Sequence, residues 1–299
     1  MSTLLTCTSS TRPGSPAAGD TLFETDTNKV IVYSGTAWKE YQDNGQLYND
    51  SDITALSPHL WLDGAGGYFY DDELKSNLVS DDGDEVGAWA DRSGNGFDFV
   101  QSNSNLRPRI LNNFGASNET MVSYDADALV LTGSASSQIA GAGSTMFFVL
   151  YTAPISGDYL LRSSDSTTLI EQVGSIAGGD YFFRAKAYAG TSSSTTYLRT
   201  DLDTEQLLRK LSIYSIRMGS SLAESFVNGT TQADTETTVA TGTLFTNGVS
   251  YELFDNTVGA DSPNLLGEYM VFDSALSDSD MNTVTNYLGK KYSITVSTL

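Results

Sequence analysis

Short apolar runs recur along the chain, separated by clusters of Gly, Ser, Asn and Asp. The clearest are Met146–Tyr151, Tyr159–Arg162, Tyr181–Tyr188, Leu211–Arg217, Ser225–Val227, Tyr251–Phe254 and Gly267–Phe272. They are rich in aromatic and β-branched residues, and turn residues such as Asn228-Gly229 follow them, which predicts strands joined by hairpins. One segment follows a different period. Ser277 can cap a helix whose third position is Asp280, and Met281, Val284, Tyr287 and Leu288 then share one face, with Lys290 and Lys291 at the negative end of the dipole. Thr204–Lys210 is short enough to be either a second helix or an ordered loop. Many strands and one closing helix predict an all-β sandwich or jelly roll.

The first forty residues form a separate pattern. Thr8–Ala18 is rich in Ser, Thr, Pro and Gly and predicts an extended arm. Thr21–Glu24, Lys29–Tyr33 and Thr36–Tyr41 predict three short strands, whose aromatics Phe23, Tyr33, Trp38 and Tyr41 are expected to share one small apolar face. So small a sheet is marginal alone, so these four residues are the assembly candidates. Gln42–Ser57 is polar and turn-rich. The organisation expected is a module at 1–41, a linker at 42–56 and a large β domain at 57–299.

Charge narrows the function classes. Sixteen Lys and Arg face 37 Asp and Glu, a formal net charge of −21. That surface repels phosphate backbones and anionic lipid, so neither nucleic acid nor membrane is an expected partner. Cys7 is the only cysteine, which excludes an intramolecular disulfide. The N-terminus has neither a basic region nor a long apolar run, so no signal peptide and no transmembrane span are expected.

Two stretches carry a family resemblance. Gly267–Asp278 running into the closing helix, together with Trp89-Ala90-Asp91-Arg92-Ser93-Gly94-Asn95-Gly96, resembles the concanavalin A-like lectin/laminin-G (LamG-like) sandwiches. Gly19, Asp20, Phe23, Thr25, Asp26, Thr27, Asn28, Lys29, Val32, Tyr33, Gly35 and Trp38 stand in the order of a short module found near the start of phage fibre and other virion proteins. The resemblances imply a concanavalin A-like jelly roll behind an N-terminal module that attaches to other virion proteins. They imply a bacteriophage structural protein (a fibre, head decoration or appendage subunit) located in the virion and made in the host cytoplasm. It would be a homo-oligomer, with a trimer the first expectation, and its outer domain would adhere to a host-surface glycan.

Enzyme chemistry finds little support. Catalytic sandwiches of the same superfamily carry a Glu-x-Asp-x-x-Glu or Glu-x-Asp-x-Glu strand that aims acids at one glycosidic bond, and this chain has neither. Its nearest acidic run, Asp201-x-Asp203-x-Glu205, reads instead as acids gathered at a helix start. His59, the only histidine, has no Gly-x-Ser-x-Gly elbow to serve, and His/Cys metal sites are excluded by number. No cofactor is expected except calcium, for which Asp81, Asp82 and Asp84 are the candidates among the acids from Asp63 to Glu85. Tyr68, Phe69 and Tyr70, with Asp91 and Asn95, are the carbohydrate-binding candidates, because rings stack on sugars and Asn or Asp fix hydroxyls; Tyr188 and Tyr197 are further rings. Asp91 also has a structural reading, bonding to backbone amides or to Ser93. A sandwich with no ligand at all stays open as the alternative.

Overall fold

The computed structural model describes residues 5–27, 29–41, 47–64, 68–72, 74–115, 119–124, 131–134, 139–140, 143–151, 158–163, 168–174, 181–188, 195–202, 210–219, 223–232, 234–237, 243–245, 250–256 and 264–299. Of 40–41, 47–48, 124, 131–134, 139–140, 158–160, 162–163, 168–174, 181–188, 195–202, 223, 234–237, 243–245, 254–256 and 264, the backbone alone is described.

The large domain is an all-β sandwich with a short C-terminal helix. Among the described residues one sheet has eight strands, ordered Arg109–Phe114, Glu119–Tyr124, Asn264–Phe272, Ser144–Tyr151, Leu211–Met218, Ala223–Val227 and Thr230–Thr231, with Leu60–Leu62 paired to the C-terminal half of Asn264–Phe272. The other has ten, running from Asp234–Thr237 through Thr195–Leu202, Tyr181–Tyr188, Thr168–Gly174, Asp158–Ser163, Ser250–Asn256, Leu131–Ser134, Phe99–Val100 and Ala88–Trp89 to Phe69–Tyr70.

The eight-stranded sheet is buried on both faces, which explains why its strands read as continuous apolar runs and not as alternation. Met146, Phe148 and Leu150 point between the sheets, where they meet Trp89, Phe69, Phe99 and Leu253. Phe147 and Val149 point the other way, into a second core closed by Met281, Val284, Tyr287 and Leu288 of the helix Asp278–Lys291. Ser277 caps that helix as expected, its Oγ accepting from the Asp280 N–H at 3.2 Å.

A bulge interrupts the central strand. Val149 pairs with Glu268 but Leu150 pairs with Leu266, so Gly267 is the extra residue. The chain also comes close to itself here: a Cβ on Gly64 would lie 2.0 Å from the Gly267 carbonyl oxygen and 2.7 Å from the Tyr292 hydroxyl.

The N-terminal module differs from expectation in three ways. Leu5–Cys7 adds a parallel edge strand beside Thr21–Glu24, and the arm after it folds back instead of extending. Ser9 N–H donates to Asp26 at 2.9 Å, Arg12 pairs with Glu24, which is only 1% exposed, and Gly19 N–H donates to the Tyr33 carbonyl at 2.8 Å. The aromatics do not share a face. Phe23 pairs with Val30 and Tyr33 with Trp38, so alternation puts Phe23 opposite the Tyr33–Trp38 couple, whose rings lie 5.3 Å apart. Tyr41's side chain lies outside the described ones.

The expected linker is also structured. Leu47–Tyr48 is a fifth strand of the module sheet, and Asp50–Thr54 is a helix capped by Asn49, with Asp50 and Asp52 favourably placed in its first turn. Residues 203–209, where a second helix was possible, lie outside the described residues, as do Asp203 and Glu205; Asp201 is in the strand Thr195–Leu202.

Replacing Gly64 by Ala forces backbone against backbone and should cost about 3 kcal/mol. Urea denaturation beside Gly14→Ala, whose new methyl meets nothing within 4 Å, checks this: the first variant's midpoint falls and the second's stays.

Candidate functional site

Asp91 organises the loop that carries the tryptophan–glycine signature. Its Oδ1 accepts from the Trp61 N–H at 3.0 Å and the Ser93 N–H at 2.9 Å; its Oδ2 accepts from the Ser93 hydroxyl at 2.7 Å and the Phe97 N–H at 3.0 Å. Four donors saturate the carboxylate, so Asp91 is a loop pin and has no lone pair left for a sugar hydroxyl. Gly94 and Gly96 allow the loop to close because both take positive φ, +89° and +79°. Asn95 Nδ2 donates to the His59 carbonyl at 2.9 Å, tying the loop to the residues that precede the strand Leu60–Leu62. Trp89 is fully buried and donates its indole N–H to the Asp63 carbonyl at 3.0 Å.

Between this loop, residues 57–59 and the exposed end of the central strand lies an open depression of about 370 Å³. Ser57, His59, Arg92, Ser93, Asn95 and Asp273 contribute to its lining. His59 packs at 4.8 Å against Phe97. Burial lowers its pKa below the ordinary histidine value, against the pull of Asp273 and Asp91. The depression therefore presents hydroxyls, an amide, an imidazole and one exposed carboxylate, a set suited to hydrogen bonding.

The other carbohydrate candidates divide by alternation. Phe69 is 1% exposed and packs on Trp89 at 5.1 Å, so its ring belongs to the core and offers no face to a sugar. Tyr68 is partly buried with the Arg92 guanidinium 5.2 Å above its ring, and burial raises its pKa. Tyr70 is partly exposed on the edge strand. The side chains of Tyr188 and Tyr197 lie outside the described ones.

The calcium candidates do not converge. Asp84 Oδ2 accepts from the Asp81 N–H at 2.9 Å and closes a turn, while Asp82 Oδ1 accepts from the Asn112 N–H at 2.8 Å and ties the loop to the strand Arg109–Phe114. Among the described residues, no three His, Cys, Asp or Glu side chains form a metal-holding group.

The densest chemistry was missed by the sequence reading. Beneath the depression, Lys291 Nζ contacts Asp63 Oδ1 and lies 2.8 Å from Glu268 Oε2, and all three side chains are 0% exposed. Asp63 Oδ2 accepts from Arg92, whose other nitrogen reaches Asp50. Trp61 donates its indole N–H to Glu268 Oε1 at 2.7 Å, and the hydroxyls of Tyr292 and Tyr287 donate to Glu268 Oε2 at 3.1 Å and to Asp50 Oδ1 at 3.0 Å. Burial pushes the Glu268 carboxyl up to about 7, with Lys291 opposing and Asp63 reinforcing. Burial alone would lower Lys291, but Asp63 and Glu268 outweigh it and hold the ammonium well above its ordinary range. One signal was available: Lys291 stands at i+7 from Val284, on the helix's apolar face.

Comparison with known proteins gives the fold. The binding domain of botulinum neurotoxin DC, in complex with rat synaptotagmin II, matches with a TM-score of 0.53 at 13% identity, over 78% of this chain and 52% of that one. The binding domain of Paraclostridial Mosquitocidal Protein 1 matches at 0.52 and 14%, over 72% and 53%. The ligand binding domain of botulinum neurotoxin serotype D, in complex with N-acetylneuraminic acid, matches at 0.50 and 13%, over 77% and 50%. This chain spans about half the length of each of these chains. No family model and no curated protein matches it.

Because His59 is held neutral in the folded chain, the unfolded chain binds more protons below the unperturbed pKa of about 6.5, and this residue's contribution to stability is lost as pH falls through that value. His59→Gln removes that component. Thermal unfolding at several pH values below about 6.5 should show a smaller acid loss in the variant than in the wild type.

Proposed function

We propose that this chain is a virion structural protein whose concanavalin A-like sandwich adheres to a host-surface glycan through the depression beside the Asp91 loop. The observation that carries the adhesion reading is the lining itself. The Ser57 hydroxyl, the Asn95 amide and the exposed carboxylate of Asp273 surround a concave surface beside a loop that Asp91 pins from within. The neurotoxin binding domains of similar fold, in complex with synaptotagmin II and with N-acetylneuraminic acid, support the class of activity, and the absence of an acid triad along the chain argues for binding without hydrolysis.

The charge selects the glycan. Arg92 is the basic residue that reaches the depression, and its guanidinium is engaged by Asp63 and Asp50. With Asp273 exposed and a net charge of −21, an anionic sugar is repelled, so the ligand is a neutral glycan. The 1–41 module serves attachment to other virion proteins or trimer formation, with Phe23 on one face and Tyr33 and Trp38 on the other as its contacts.

Screening immobilised glycans should return neutral structures, and Asp273→Ala should weaken binding at least about tenfold with an unchanged unfolding midpoint. Retention of nothing at all would favour the ligand-free structural sandwich. Solution mass of the full chain beside one beginning at Asn49, which keeps Asp50 for Arg92, tests the module: a trimer reduced to a monomer supports the oligomerisation role.

A further inference from the structure

The geometry points to a modification site that is independent of the adhesion reading. We propose that Lys291 and Asp63 condense into an intramolecular amide, with Glu268 as the catalytic residue and Arg92 stabilising the developing oxyanion.

Three conditions for such a reaction meet here. The nucleophile and the electrophile are already in contact, since Lys291 Nζ touches Asp63 Oδ1. Fixing two reactants in this way replaces a bimolecular encounter, with effective molarities on the order of 10⁵ M or more in well-oriented cases. A proton carrier sits beside the amine: Glu268 Oε2 lies 2.8 Å from Nζ, and Trp61 and Tyr292 hold its two oxygens in place. Water is excluded, because Lys291, Asp63 and Glu268 are 0% exposed and the rings of Tyr287 and Tyr292 stand 5.5 and 5.6 Å from Nζ. The elevated pKa of Glu268, about 7, suits a group that must accept and return a proton.

The step balances without a co-reactant. Glu268 takes one proton from the Lys291 ammonium, freeing the lone pair on Nζ. That nitrogen attacks Asp63 Cγ, and negative charge develops on Oδ2, which faces Arg92 Nη1. Glu268 delivers its proton to Oδ1, and a second proton leaves Nζ for the same oxygen. The Cγ–Oδ1 bond then breaks and water departs. Ammonium and carboxylate become an amide and one water, nothing is oxidised or reduced, and Glu268 ends as it began. The product removes two buried opposite charges, whose desolvation is costly, and leaves Glu268 held by the Trp61 and Tyr292 donors in place of the ammonium. Arg92 keeps Asp50 as its partner.

Mass spectrometry of the denatured wild-type chain decides this. The expected mass is one water below that of the sequence, with a branched tryptic peptide joining the segments that contain Asp63 and Lys291. A full-length mass after prolonged incubation at neutral pH overturns the proposal. So does a water loss that leaves Lys291 a tryptic site, as a succinimide at Asp63-Gly64 or Asp82-Gly83 would. Glu268→Gln, with its fold verified by circular dichroism, should keep the full mass; a folded variant that still cross-links overturns the role of Glu268.

Discussion

The fold depends on a group of charges kept away from water. Asp63, Glu268 and Lys291 are fully buried, and Arg92 and Asp50 extend the group toward the surface. Burying an ion costs several kcal/mol unless partners replace its hydration, and removing one partner of a buried pair leaves the other uncompensated. Each carboxylate here has at least two partners. Those partners come from five places: the helix Asp50–Thr54, the end of the strand Leu60–Leu62, the Asp91 loop, the bulge in the central strand, and the closing helix. The arrangement therefore sets where those elements sit, while the two apolar cores supply the driving force for collapse. With three acids and two bases in the group, a single proton on Glu268 makes it neutral.

The bulge at Gly267 is what makes this possible. In a regular strand of the same sequence, with Gly267 paired in turn, position 268 would follow the alternation and face between the sheets with Leu266. With the bulge, Gly267 and Glu268 both lie on the helix side, and the carboxylate meets Lys291 and Trp61. The absence of a side chain at 267 leaves room for the Tyr292 ring, whose Cε1 lies 2.8 Å from where a Cβ would stand.

Much of this was legible in the sequence, and the gaps have physical causes. Ser144–Tyr151 and Leu211–Met218 were readable as strands because a sheet covered on both faces needs unbroken apolar runs. The closing helix was readable because its cap and its apolar spacing agree. The 42–56 segment looks like a linker in sequence because a two-residue strand and a five-residue helix leave almost no periodic signal. The shared face expected for Phe23, Tyr33 and Trp38 failed because register, and not composition, decides the side of a sheet on which a residue lies. Lys291 looked like a dipole partner beside Lys290. What separates the two is the helix face, since Lys290 is exposed and Lys291 is buried. Asp91, as a candidate ligand contact, illustrates a different limit: the same residue type serves a loop pin or a sugar site, and only the four donors around it settle the matter.

The charge group also has a consequence for synthesis. Lys291 emerges from the ribosome 228 residues after Asp63, and Glu268 follows Trp61 by 207. Until the last stretch is made, Asp63 and Arg92 have neither the helix nor the bulge to complete their surroundings, and the strand Leu60–Leu62 lacks the neighbour with which it pairs. The early half of the domain must wait in an open state for the late half, which makes synthesis of residues 264–292 the event that commits the fold. A chain that ends between Glu268 and Lys291 would hold the Glu268 carboxyl in its interior without the ammonium that opposes its charge.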